Sequence, residues 1–239
     1  MSNEVTVSNP SWMDKYTGKG EGASDSEDRS MPFVTLCHPQ SPAVIEGKAK
    51  ICDLYLEAQE VSLGNEIEVV VIAWLKDWIL WGDRKKKEGI IWRGREEMLT
   101  PEQAAMTKWR KNPNGGRDLP PLATETRTFI VVEYKDGVLN PRGFEPAPMV
   151  ISFAKSNAKA GENFGKLITL STGQGRHIYF RTYKISTDKK TVDTEQGPAT
   201  IAFLKVEPSG YIKEEHATAL HNMRENFKHA ISRSVEQSN

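Results

Sequence analysis

Cysteine is nearly absent: Cys37 and Cys52 are the only two in 239 residues, too few for the disulfide framework of a small secreted scaffold. At this length the chain can bury a sizeable core without such staples, in one domain of about 150 to 200 residues plus tails. Long apolar runs are also missing. Nothing approaches the roughly 18 consecutive apolar residues of a membrane-spanning helix, and hydrophobic residues make up 38% of the chain against 27% charged. Met1 to Pro10 shows no basic stretch leading into an apolar segment, so a cytoplasmic protein with reduced thiols is expected.

An excess charge of one sign is lacking too. Lys and Arg total 32 and Asp and Glu total 32, so the whole-chain field selects neither nucleic acid, membrane nor an acidic partner. There is no Gly-rich loop ending in Lys-Ser/Thr, no Gly-x-Ser-x-Gly elbow, no His-Glu-x-x-His and no paired Cys-x-x-Cys, which argues against an enzyme. Cys37, His38 and Cys52 supply three potential metal ligands without a fourth, so packing is the expected role and no metal or cofactor is assigned. His216, His221 and His229 are separated by five and eight residues, off one helical face, and are expected to face solvent. No internal repeat appears.

The charge balance is only global. Met1 to Phe33 carries three basic and six acidic residues, and Arg84 to Arg117 carries ten basic and four acidic, a net +6. Residues 1–31 are Ser-, Gly- and acid-rich with sparse apolar positions, the composition of a disordered tail. Within it Trp12 and Tyr16 are either incidental linker aromatics or a short docking motif. Residues 32–211 then form the expected domain, followed by a helical segment over 212–239.

Inside that domain Ala49 to Ala58 fits a strand, and Glu66 to Trp81 alternates with period two over 16 residues. Its odd positions, Ile67 to Trp81, make a core face; its even positions end in the row Trp74, Lys76, Trp78. Arg84 to Arg117 is expected to be a long inserted loop, with one short helix announced by Thr100-Pro101-Glu102-Gln103, a capping box with Pro at the first helical position. Arg127 to Lys135 is a strand closed by an Asp136-Gly137 turn. Met149 to Phe153 leads into a helix over Ser156 to Leu170, despite Gly161 and Gly165. His177 to Ile185 alternates again, placing Tyr179, Arg181 and Tyr183 on one side. Asp188 to Gly197 is a polar turn or short hairpin, Ala199 to Val206 a last strand, and Glu214 to Val235 an amphipathic helix. Strands with one intervening helix and no strand-helix alternation argue for a mainly β fold with minor α, a five-stranded antiparallel barrel of the oligonucleotide-binding kind (OB-fold) with a long basic insertion and a C-terminal helix.

Aromatic side chains interleaved with Lys and Arg offer stacking platforms for unpaired bases beside cations for phosphates. The candidates are Trp74, Lys76 and Trp78, then Tyr179, Arg181 and Tyr183, then Trp92, Arg93 and Arg95, then Trp109, Arg110 and Lys111 of the basic loop. A single such row is as readily packing under a covering helix, since Trp and Tyr favour strands.

The segments Pro148-Met149-Val150-Ile151-Ser152-Phe153, Gly165-Lys166-Leu167-Ile168 and His177 to Thr187, with Ile72 to Trp81 similar in character, resemble the single-stranded DNA-binding proteins of tailed bacteriophages, which have an oligonucleotide-binding barrel. The resemblance covers about Phe33 to Pro208; Arg84 to Arg117 and Glu214 to Val235 find no counterpart in it. It implies a non-enzymatic, sequence-tolerant binder of single-stranded DNA in replication, recombination or repair of a phage genome inside a bacterial cytoplasm. Replication or recombination proteins would be recruited through the acidic N-terminal tail, and the C-terminal helix would either mediate self-association or cover the open end of the barrel. The alternative is a phage-encoded interaction factor that docks on a host protein through its Trp-rich sheet.

Overall fold

The computed structural model describes residues 31–83, 89–144, 147–194 and 197–236. The expected acidic tail over 1–31, but for Met31, and the Arg84 to Lys87 cluster lie outside the described residues. From Pro32 the chain forms one compact unit.

Its strands in chain order are β1 (Phe33–Leu36), β2 (Leu54–Leu56), β3 (Val61–Gly64), β4 (Glu66–Trp81), β5 (Ile90–Arg95), β6 (Thr124–Lys135), β7 (Val138–Leu139), β8 (Pro148–Ala154), β9 (Arg181–Thr194) and β10 (Gly197–Tyr211). The helices are the single turn α1 (Pro42–Ile45), α2 (Pro101–Met106), α3 (Ala158–Thr172) and α4 (Ala217–Glu236). The strands join one ten-stranded mixed sheet in the order β10-β9-β4-β6-β8-β1-β2-β3, with β5 added to β4 and β7 to β6. Pairing is antiparallel except between β1 and β8.

The mainly β expectation holds, but the five-stranded barrel does not: the sheet has ten strands, and no ladder joins its ends, β3 and β10, among the described residues. The extra strands come from segments whose composition reads as loop. β5 lies inside the charged insertion and pairs Asp77 to Trp81 of β4. The polar stretch Asp188 to Thr194 pairs residue by residue with β10. Backbone ladders need no apolar side chains, so hydrophobic periodicity does not mark them.

Strand β4 is the axis. One edge pairs with β6 over Val69 to Ile79; the other pairs first with β9, through Glu66 to Val70, and then with β5. The β4–β6 register shifts at Ile72, an extra residue between Val71 and Ala73. Such a bulge exchanges the faces of everything beyond it. Val69 and Val71 before it therefore share a face with Trp74, Lys76 and Trp78 after it, and the simple odd-even division fails midway. Both faces are covered: Val69, Val70, Val71 and Ile72 are all fully buried.

Helix α3 covers the Trp74 face. Phe164 on it stacks on Phe129 of β6 at 4.3 Å and meets Phe153 and Tyr183 edge-on. Trp74 extends the stack from the other side of Phe129 at 5.9 Å. Gly161 is required here, because a Cβ at that position would lie 2.5 Å from Cβ of Phe153. On the opposite face α4 packs against β4, buries Leu220 and donates from Arg224 to the Ile72 carbonyl at 3.0 Å. His221 is exposed as expected, with its Nδ1 3.2 Å from Tyr179 Oη, whereas half-buried His216 rests on Tyr134 and meets the Gly137 carbonyl at 3.0 Å.

The capping box and the hairpin turn form as expected. Thr100 accepts from Gln103 N–H and Gln103 accepts in return from Thr100 N–H, with Pro101 in the first turn of α2. Asp136 and Gly137 both adopt positive φ, at 52° and 78°, and join β6 to β7. Among the described residues no helix is long and apolar enough to cross a membrane, and no cluster of His, Cys, Asp and Glu could hold a metal.

Candidate nucleic-acid interface

The bulge at Ile72 and the β9 register decide which candidate residues share a surface. Arg181, which opens β9, has the facing of Tyr183 and Ile185, opposite Val69 and Ile67 of β4. Across the bulge that face continues as Trp74, Lys76 and Trp78. Trp92 joins them, since the β4–β5 ladder sets Leu80 opposite Trp92 and Trp78 opposite Gly94. Trp74 is half-buried and lines a shallow cleft with Arg127, Lys166 and Leu170. Trp78 and Trp92 are half-buried as well, and their indole N–H groups are buried without a partner.

The cations of this strip are neutralised. Lys76 Nζ reaches Glu96 at 3.1 Å and Glu125 at 3.5 Å, Arg127 binds Glu125 at 2.6 Å, and Lys166 binds Glu162 at 2.5 Å. Arg93, expected to hold phosphate, points to the other face. It donates from Nε to buried Asp77 at 2.8 Å and from Nη2 to Thr128 at 3.1 Å, pinning β5 to β4. Arg95 lies directly across from Asp77 and is half-buried.

Tyr179 and Tyr183 do not form the expected exposed row. The strand starts later than its alternation implies: Ile178 to Phe180 is a 3-10 turn, in which Tyr179 is buried against His177 and His221. Tyr183 is wholly buried under α3, its hydroxyl without a hydrogen bond. Burial pushes this phenol above its ordinary pKa; Arg181 and Ser171 partly offset the effect, although the Tyr183 and Ser171 hydroxyls miss hydrogen-bond geometry. As folded, neither tyrosine presents a face on which a base could stack.

Arg181 keeps a binding geometry, with neighbours that periodicity missed. Its guanidinium lies 5.9 Å from the ring centroid of Tyr211, and that of Arg176 lies 5.4 Å from the same ring while donating to the Tyr211 hydroxyl at 2.8 Å. Tyr211 is 57% exposed. Among the described residues neither arginine has a carboxylate within ion-pair distance, and Arg181 Nε is buried without an acceptor. Phe180, Ile212 and Glu214 complete a cleft of about 580 Å³ with Arg176 and Tyr211. Only a β10 five residues longer than its apolar pattern brings Tyr211 opposite Arg181.

The basic insertion supplies another exposed group. Trp109 is 67% exposed, the largest exposure among the described tryptophans. Arg110 is tied to the arm itself, its guanidinium donating twice to the Pro120 carbonyl at 3.3 Å. Lys108, Lys111 and Arg117 are exposed and have no ion pair among the described residues. Ile90, Ile91 and Met98 of the same insertion, and Leu122 just after it, are exposed apolar side chains as well.

No curated protein and no solved structure matches the chain. A family model described as Pam3 phage gp34-like protein matches residues 2–234. That match spans nearly the whole sequence, so the chain belongs to the Pam3 phage gp34-like protein family.

Proposed function

We propose that this phage-family protein binds single-stranded DNA without strong sequence preference, in replication, recombination or repair of a phage genome. The observation that carries the reading is the pair of unneutralised guanidiniums of Arg176 and Arg181 around exposed Tyr211. A phosphate accepted between them would meet guanidinium N–H groups with no carboxylate among the described residues to displace, and a charge-assisted hydrogen bond of that kind is stronger than a neutral one. Half-buried Trp74 lies on the same face, and exposed Trp109 with Lys108, Lys111 and Arg117 adds a basic, aromatic arm; both offer stacking surfaces indifferent to base identity. The strand would exchange with the carboxylates now on Lys76, because exposed ion pairs contribute only about 0 to 1 kcal/mol.

The test is anisotropy of a labelled oligothymidine against the full chain over a range of salt, with a duplex control. Binding that weakens with salt and prefers the single strand is expected. In the Arg176→Ala/Arg181→Ala double variant the slope of log affinity against log salt should flatten by about 1.4, two phosphate contacts at about 0.7 each for single strands. No binding, or equal binding of duplex, would overturn the reading. The exposed apolar side chains Ile90, Ile91, Met98, Trp109 and Leu122 favour a second one, docking on a host protein through apolar anchors. That association would be far less sensitive to salt.

A further inference from the structure

A second aromatic ring flanked by cations lies on the same strand as Tyr211 but on its other face. Phe203 and Tyr211 are eight residues apart on β10, about 26 Å at about 3.3 Å per residue. Between them the β9–β10 register shifts at Pro208 to Gly210, so Phe203 points with Asp188 and Tyr211 with Arg181, to opposite sides. Lys190 and Lys205 hold their ammonium groups 6.0 and 5.5 Å from the Phe203 centroid. Both distances are near the outer limit of a cation–π contact, and the long lysine stems can swing aside for a stacked base.

The ring lines a groove of about 590 Å³ between β10 and the start of α3, together with Lys159, Lys190, Ser156 and Asn163. Small-molecule sites run from about 300 to 1,000 Å³, so one nucleotide fits. The charge is positive where it counts. Lys205 is paired with Asp188, but Lys159 and Lys190 have no ion pair among the described residues. Glu162 feels the charge of Lys159, yet its hydrogen bond goes to Lys166. Among the described residues Glu207 is the one carboxylate lining the groove.

The groove runs beside a sheet edge, where a peptide strand would ordinarily add by backbone pairing. Asn157 blocks that mode: its side-chain oxygen takes the outward Leu204 N–H at 2.8 Å. Recognition is left to side chains, an aromatic face and two free ammonium groups, which match a base and its phosphate. We propose that the groove between α3 and β10 is a nucleotide-binding site in which the base stacks on Phe203 and Lys159 and Lys190 hold the phosphate. It deepens the single-strand reading, on which it rests for its role, by giving the strand a second point of attachment across the edge of β10.

The experiment is calorimetric titration of the full chain with thymidine monophosphate, and separately with inorganic phosphate, in wild type, Phe203→Leu and Lys159→Gln/Lys190→Gln, each checked for folding by its melting curve. Saturable binding of the nucleotide is expected. Phe203→Leu keeps an apolar side chain but removes the stacking face, and should weaken the nucleotide by about 5- to 100-fold while leaving phosphate unchanged. The double lysine variant should weaken both. No saturable nucleotide binding, or the same affinity in folded Phe203→Leu, overturns the site. Oligothymidine distinguishes this from the broader reading. If it binds wild type and Phe203→Leu equally, the groove falls and the strand reading stands. If it does not bind while the nucleotide binds through Phe203, the groove stands alone.

Discussion

The Trp74 strip and the Tyr211 cleft are built from the same kinds of residue and differ in what their cations hold. In the strip Lys76, Arg127 and Lys166 each meet a carboxylate, and Arg93 is turned to the far face by Asp77. At the cleft Arg176 and Arg181 flank one tyrosine ring, with no acid in ion-pair range among the described residues. Aromatic residues interleaved with basic ones therefore do not by themselves make an anion site; the countercharges brought in from other strands decide. Glu96 and Glu125 reach Lys76 from 20 and 49 positions away in sequence, invisible to any reading of the row itself.

Charge reversal should break this comparison most strongly. Arg176→Glu with Arg181→Glu is expected to cost single-strand affinity a hundredfold or more at low salt, on the order of 3 kcal/mol, since hydrogen bonds to charged groups contribute about 1.5 to 3 kcal/mol each. Lys76→Ala, which removes a cation already paired, should cost about threefold or less by the same measurement. Equal losses would show that the carboxylates of the strip are not holding its cations back.

Packing beneath the strip gives the next effect. Helical Gly to Ala normally gains about 1 kcal/mol, but at Gly161 the added methyl meets the Phe153 side chain. Gly161→Ala should destabilise by about 1 to 3 kcal/mol in chemical denaturation, as overpacked sites do. A gain in stability would mean that α3 can lift off the aromatic stack without loss.

The alkaline limb of stability sharpens the contrast between buried and exposed tyrosines. Burial raises the Cys37 and Cys52 thiols above 9.0 and the Tyr183 phenol above 10.0. The fold favours the protonated forms, so their contribution is complete below about pH 9 and is lost as pH climbs through the raised values. Denaturation midpoints should hold steady to about pH 9 and then fall. Tyr183→Phe deletes a buried hydroxyl that makes no hydrogen bond; it should change neutral-pH stability by about 1 kcal/mol or less, toward gain, and soften the fall above pH 10. The smallest effect is expected at Trp109→Ala, within about 0.5 kcal/mol of wild type because the ring is largely exposed.

Legibility followed the range of the interactions. The bounds of β4, the box at Thr100 and Gln103, the turn at Asp136-Gly137 and the existence of α3 were all readable, since each is set by residues within a few positions of one another. The glycines that cast doubt on α3 turned out to mark its closest approach to the sheet. Beyond that range periodicity misled. Tyr179 and Tyr183 alternate with Ile178 and Phe180 as a strand would, yet Ile178 to Phe180 curls into a 3-10 turn under α4. The charged residues of β5 hid a strand, because its pairing is by backbone, whereas Asp188 to Gly197, read as a turn or short hairpin, closes the β9–β10 hairpin.

By itself, then, the sequence determined the local elements and the mainly β character, through caps, turns and alternation that act over a handful of residues. Tertiary structure alone decided strand number and order, the change of facing at Ile72, the burial of Tyr179 and Tyr183, and the meeting of Arg176, Arg181 and Tyr211. Those outcomes depend on which distant strands pair and where one residue is left over, and a single extra residue in a ladder reverses every side chain beyond it.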